Sequence, residues 1–439
     1  MKYLYTILVF FIGLNAAWAQ QELTLHLMKD VFQSTHTNPA FRARTRGSVT
    51  ILSSVHANLR NTGFTYDQLI TASIQEEGGK RILSYEEMYN NLKLNGKDHM
   101  YIGLSFDVFA LSLKIGKNRF SLNATEHVQG RMGYGKGLFQ LMAEGNTPGE
   151  TISLSDYNVN ATQYHELGLG YNRSFLEDKL VVGTRLKLLY GLANITTRHF
   201  DAQFTTGTEA ELYEIRTLAD FEIQTSGTSM GDDDFLNNYL LNTKNNGFGV
   251  DLGATYKYDD KLSFSASILN LGAINWKSDV RTYTTQGEFT FSGIETDSLF
   301  AGEGFNFDQT ELMDSLKNEF DIQEDSTSTY KSSLPVQSYL TAYYNIGPYT
   351  TASATVYTAF MSGKSYAAMA LGIQQQVGRW FNVTGTYSMQ GRSFGNIGVG
   401  LGIKSGGFQL YMVTDNALAF MIPTKSKIAN ARVGFNVVF

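Results

Sequence analysis

The sequence predicts an all-β fold: a closed antiparallel transmembrane β-barrel of about fourteen strands, with an N-terminal plug-like segment and long extracellular loops. Three observations predict it. Extended segments alternate apolar and polar residues, their connections come in two unlike lengths, and the last strand ends the chain on Phe439. A strand puts successive side chains on opposite faces, so alternation makes one greasy face and one polar face. A membrane barrel needs that pattern, with lipid outside and a wet lumen inside.

Residues 1–19 read as a secretory signal peptide, with Lys2 as basic start, Ile7–Leu14 as apolar core and Ala17-Trp18-Ala19 as cleavage site. Polar Gln20, Gln21 and Glu22 end the apolar run, short of the roughly 20 residues a spanning helix needs. The mature chain is expected to start at Gln20 and to have crossed the inner membrane. Residues 20–47 precede the first strand, as a plug or a periplasmic segment. They hold an irregular apolar patch (Leu23, Leu25, Leu27, Met28, Val31, Phe32) and then Asn38, Pro39 and Ala40.

Residues 48–439 form the barrel. Alternation places strands at 48–59, 99–115, 119–133, 162–175, 179–193, 246–258, 261–275, 332–346, 349–359, 365–377, 380–389, 395–404, 407–414 and 428–439. In 179–193, Leu180, Val182, Leu186, Leu188, Tyr190 and Leu192 oppose Gly183, Arg185, Lys187 and Gly191. Phase slips near Phe109 and near Ile268–Asn270 predict bulges. Six tight turns, at Gly116–Asn118, Leu176–Asp178, Asp259–Asp260, Gly347–Pro348, Gly378–Arg379 and Ser405–Gly406, alternate with seven longer connections. Short periplasmic turns and longer extracellular loops are the barrel arrangement. An even strand count returns both barrel ends to the side of the short turns.

The closing strand puts Phe435, Val437 and Phe439 on one face and Asn430, Arg432 and Asn436 on the other. An aromatic-ended terminal strand resembles the signal read by the barrel-assembly machinery.

Composition agrees. Aromatic residues make up 13% of the chain, enough for interfacial girdles. The formal charge is −6 with no basic stripe, which argues against nucleic-acid binding. Absence of cysteine excludes disulfides, thiolate chemistry and cysteine-built zinc sites. Seven scattered histidines form no ligand motif, and neither a nucleophile elbow nor a P-loop occurs. No enzymatic activity, cofactor or metal is expected.

The charged residues that alternation turns inward are Asp107, His127, Arg131, Glu166, Arg185, Lys187, Asp251 and Arg432. They either line a polar path for a solute or pair with one another and with the N-terminal segment, closing the lumen. Two acidic stretches read as loop helices, one starting at Asp232-Asp233-Asp234 and one over Asp308–Phe320.

At Asn38-Pro39-Ala40 the chain resembles the FadL-type outer-membrane barrels, whose N-terminal hatch carries this tripeptide. The run Asn270-Leu271-Gly272-Ala273-Ile274-Asn275-Trp276 is similar to that superfamily as well. Ser121–His127 and the closing stretch with Asp415-Asn416-Ala417, Pro423 and Arg432–Asn436 resemble an uncharacterised barrel family of Gram-negative bacteria with gliding or type IX secretion systems. The resemblance implies architecture and location in the cell outer membrane, and no activity. Two functions stay open: FadL-like passage of a small or hydrophobic solute, or a non-transporting barrel that docks a secretion or surface-assembly partner. Outer-membrane lipid is the expected surrounding.

Overall fold

The computed structural model describes residues 22–77, 80–92, 94, 98–145, 147–211, 214–227, 242–291, 321–361, 364–391 and 393–439. Fourteen strands close into one ring. In chain order they are β1 Gly47–Asn61, β2 Asp98–Ile115, β3 Asn118–Tyr134, β4 Asn158–Phe175, β5 Leu180–Thr206, β6 Asn245–Lys257 and β7 Leu262–Trp276. The ring continues with β8 Val336–Asn345, β9 Thr350–Met361, β10 Lys364–Val377, β11 Phe381–Gln390, β12 Ser393–Ser405, β13 Phe408–Thr414 and β14 Ile428–Val438. Every neighbour pair is antiparallel. β14 returns to β1 with Gly434 opposite Ser54 and Ile428 opposite Arg60, which removes the free edge. The Gly47 amide donates to the Phe439 carbonyl at 2.8 Å, and the Phe439 amide donates back at 3.1 Å.

Alternation now has a physical partner on each side. Val433, Phe435, Val437 and Phe439 are 38–57% exposed, while Asn430, Arg432 and Asn436 between them are at most 4% exposed. Leu167, Leu169, Leu186, Leu188, Phe248 and Leu371 likewise point outward. This greasy belt suits hydrocarbon, and the buried polar set suits a lumen.

Both expected bulges occur. Register skips Val108 between Asp107 and Phe109, and Asn270 takes a left-handed backbone (φ 62°) opposite Asp251, a conformation asparagine tolerates better than most residues. A further irregularity lies in β1 between Ile51 and Ser54, where Leu52 has φ 46°.

Three expectations need correction. Two of the seven long connections are short: β9 and β10 pair up to Met361 opposite Lys364, and β11 and β12 up to Gln390 opposite Ser393. The strand read as 332–346 is two, Tyr330–Ser333 and β8, interrupted at Leu334-Pro335, because proline cannot donate to the ladder. β5 runs on to Thr206 beyond the wall. Its outer half pairs with Ile215–Ser226, which pairs in turn with Val280–Phe291 to make a projecting sheet. The signal-peptide stretch and both acidic loop helices lie outside the described residues.

At the long-loop end, Met88, Leu92, Leu94 and Tyr134 form a small core with Phe64 and Phe139, packing loops 62–97 and 135–157 together.

Candidate functional site in the lumen

Residues 22–45 thread the inside of the ring. A short helix, Leu23–Leu27, and a 3₁₀ turn, Phe32–His36, are almost wholly buried. Their contacts run round the wall. Glu22 meets Arg432 of β14, and Thr24 meets Thr386 of β11 and Asp415 just after β13. Leu27 lies against Gly372 of β10, and Met28 against Gly400 of β12. Gln33 bonds Thr50 of β1 and Asn436 of β14, and Thr35 bonds Arg185 of β5. A segment that touches buried, inward-facing residues from so many strands of a closed ring must lie within it.

Asn38-Pro39-Ala40 sits flat against β4 to β7. Asn38 Nδ2 donates to the Ala266 carbonyl at 3.1 Å, Asn38 Oδ1 caps the Ala40 amide at 2.9 Å, and Asn172 Nδ2 donates to the Pro39 carbonyl at 3.0 Å. Glycine is required opposite it. A Cβ at Gly183 would lie 2.4 Å from the Pro39 oxygen, and one at Gly253 would lie 2.1 Å from Asn38 Oδ1.

The inward charges form one linked network. Arg432 reaches Glu22 at 2.5 and 3.2 Å, Ser54 at 3.0 Å, Ser105 at 3.2 Å and Asp107 at 3.8 Å. Lys187 Nζ lies 2.9 Å from Asp251, 3.2 Å from Glu166 and 2.7 Å from Asn270 Oδ1. His127 approaches Glu166 at 3.4 Å, and Arg185 approaches Asp251 at 3.7 Å. His36 joins the two halves, 3.4 Å from Asp107 and 3.2 Å from Arg185. Arg131 stands apart and bonds Asn158 at 2.6 Å.

Seven of the eight charges that alternation turned inward are thus brought together. Glu22, His36 and Asn270 join them and were not among the residues that alternation turned inward. Glu22 and His36 precede the first strand, where no alternation exists to orient them. Asn270 reaches the network only because its bulge turns it inward.

Among the described residues, a cavity opens at each mouth. At the long-loop end a cavity of about 170 Å³ is lined by Arg60, Asp98, His99, Tyr366 and Lys427. At the turn end a cavity of about 600 Å³ is lined by Arg44, Tyr349, Arg379, Trp380 and Lys404 among others. Beside Glu22, His56 and Arg432 there is only about 10 Å³, room for at most about one water. Among the described residues, no group of three or more His, Asp or Glu is placed to hold a metal ion.

No curated protein matches the chain in sequence. Solved structures it is similar to include the TodX deltaS2S3 mutant monoaromatic hydrocarbon channel, 9% identical over 97% of each chain with a TM-score of 0.45. Another is the Ralstonia pickettii toluene transporter TbuX, 11% identical over 97% of this chain and 96% of that one, TM-score 0.42. A Pseudomonas aeruginosa FadL homologue is 9% identical over 91% of each chain, TM-score 0.41. Likeness of this degree says nothing of cargo, and the closed ring stands on its own strand pairings. A family model described as a family of unknown function (DUF5723) matches residues 39–415, from the wall-bound Pro39 to the Asp415 that holds Thr24, and the chain belongs to that family.

Proposed function

We propose that the chain is a Gram-negative outer-membrane barrel that passes a small solute, in the FadL manner, only when residues 22–45 leave the lumen. The observation that carries this is the threaded segment: residues 22–45 bond or pack against inward-facing residues of β1, β5, β10, β11, β12 and β14, with about 10 Å³ left beside Glu22, His56 and Arg432. The N-terminal segment acts as the plug, held both by hydrogen bonds and ion pairs and by buried apolar side chains such as Leu23, Leu25, Met28 and Val31. On withdrawal the polar bonds are exchanged for water, while the exposed apolar surface is what resists opening. The outward Phe435, Val437 and Phe439 support a role as the assembly signal, read after the signal peptide is removed.

Proteoliposome swelling tests the reading. The intact protein is expected to pass a small sugar hardly faster than empty liposomes, and deletion of residues 22–45 to speed swelling severalfold. A deleted barrel that inserts but stays impermeable would sink it.

A second reading is a non-transporting barrel that docks a secretion or surface-assembly partner. The projecting sheet built on the outer half of β5 favours it. Cross-linking in native membranes should then trap a partner on Ile215–Ser226 or Val280–Phe291, and recovery of the monomer alone counts against it.

A further inference from the structure

We infer that the cavity at the turn end is a binding site for a short acidic peptide, held through its carboxylates. Its volume of about 600 Å³ falls in the range of sites that enclose a small ligand and exceeds what a single inorganic anion fills. Three cations line it, Arg44, Arg379 and Lys404, against one carboxylate, Asp30, so the lining carries a net charge of 3 − 1 = +2. Asp30 is occupied with Arg44 at 3.4 Å, and no acid among the described residues pairs with Arg379 or Lys404. Guanidinium groups bind carboxylates through paired, directional hydrogen bonds.

The rest of the lining suits a peptide better than a fatty chain. Gln376, Asn382 and Gln409 supply amides, and Trp380 and Tyr349 supply the aromatic surface. Backbone N–H and C=O groups of a peptide can bond these amides. The cavity also has one wall on the N-terminal segment, through Asp30, Arg44 and Thr45, and another on the barrel turns. The site exists with the lumen closed, so its failure leaves the gating proposal standing, and the reverse holds too.

The test uses the full chain, purified and folded in detergent, with triglutamate bearing a free C-terminus as probe. Trp380 is 57% exposed at the cavity, while Trp276 is fully buried elsewhere, so a change in tryptophan emission reports the site. Triglutamate is expected to change the emission saturably, and trilysine to leave it unchanged. Arg379→Gln with Lys404→Gln, both near exposed turns, should weaken triglutamate binding by about tenfold or more while heat-modifiable migration stays normal. Calorimetry on Trp380→Phe should still detect binding after the emission change is lost. The inference is overturned by an emission that triglutamate leaves unchanged or by a double variant of unchanged affinity. It is equally overturned by inorganic phosphate binding as tightly as the peptide, which would mark a generic anion patch.

Discussion

Replacing Arg432 by Met removes the cation on which the central carboxylates converge. Arg432 is 3% exposed, and Met fills much of its volume, so the cost is electrostatic rather than a cavity. Glu22, held at 2.5 and 3.2 Å, loses its close partner while still buried and keeps only His56 at 3.9 Å, and Asp107, at 3.8 Å, is left with His36 and Thr125. Breaking a buried ion pair from one side costs about 3–5 kcal/mol, against about 1 kcal/mol for an ordinary hydrogen bond. Glu22 belongs to the threaded segment and Arg432 to the wall, so most of that cost falls on holding the segment in place. At 1.4 kcal/mol per factor of ten, opening should become about a hundredfold to a thousandfold more frequent. Hydrogen exchange reads this directly at the Leu23 and Thr24 amides, which donate to Asp415 at 3.2 and 2.7 Å. Exchange there should accelerate while amides in β10 and β11 keep their protection. Adding Glu22→Gln removes the stranded charge, so the double variant should recover part of the loss. Unchanged exchange in Arg432→Met, or costs in the double variant that simply add, would refute the reasoning.

Three further outcomes follow from the wall. Gly253→Leu places a Cβ 2.1 Å from Asn38 Oδ1, so it should cost about 1–3 kcal/mol in segment docking, seen as proteolysis near Ala40 in an intact barrel. Leu188→Arg puts a charge on the half-exposed outer face and should cost about 2–4 kcal/mol at mid-bilayer, measured by urea unfolding from liposomes; no destabilisation would contradict the lipid-facing assignment. Phe439→Lys should lower the fraction of chain assembled in the membrane, and normal insertion would contradict the role given to the last strand.

What could be read from sequence follows the solvent on each side of the chain. Inside the bilayer, lipid on one face and a wet lumen on the other force period-two alternation, and strands such as Leu180–Gly191 carry it cleanly. Beyond the bilayer that demand lapses. Thr196, Thr197, Arg198 and His199 continue β5 in the rim with a bulge at Arg198, and no greasy face marks them as strand. Phe360 and Met361, at the tight β9–β10 hairpin, were missed for a related reason: at strand ends two or three residues are too few to show a period. Inward charges were legible because they sit on alternating strands. That they meet Glu22 and His36 was not, because those contacts span 410 residues for Glu22–Arg432 and depend on closure of the whole ring.

The balance of charge on the wall itself bears on whether the threaded segment is a removable part. Taking the wall alone, Asp107 keeps Arg432, Glu166 keeps Lys187 and Asp251 keeps Arg185, at 3.8, 3.2 and 3.7 Å. In this central set three bases face three acids, and the segment adds Glu22 as a further carboxylate, while the wall's Arg119 and Asp415 bond backbone groups of the segment. Had the wall been charged one way, withdrawal of the segment would strand uncompensated ions and the barrel would need its occupant to fold. As built, withdrawal leaves the three central ion pairs intact, while Arg119 and Asp415 exchange their bonds to the segment for water, in a lumen where water restores the lost solvation. A chain lacking residues 22–45 is therefore expected to insert and to show the heat-dependent gel migration of a folded barrel. Failure of that chain to assemble, with rescue when a peptide spanning 22–45 is supplied, would show that the segment is a folding nucleus instead.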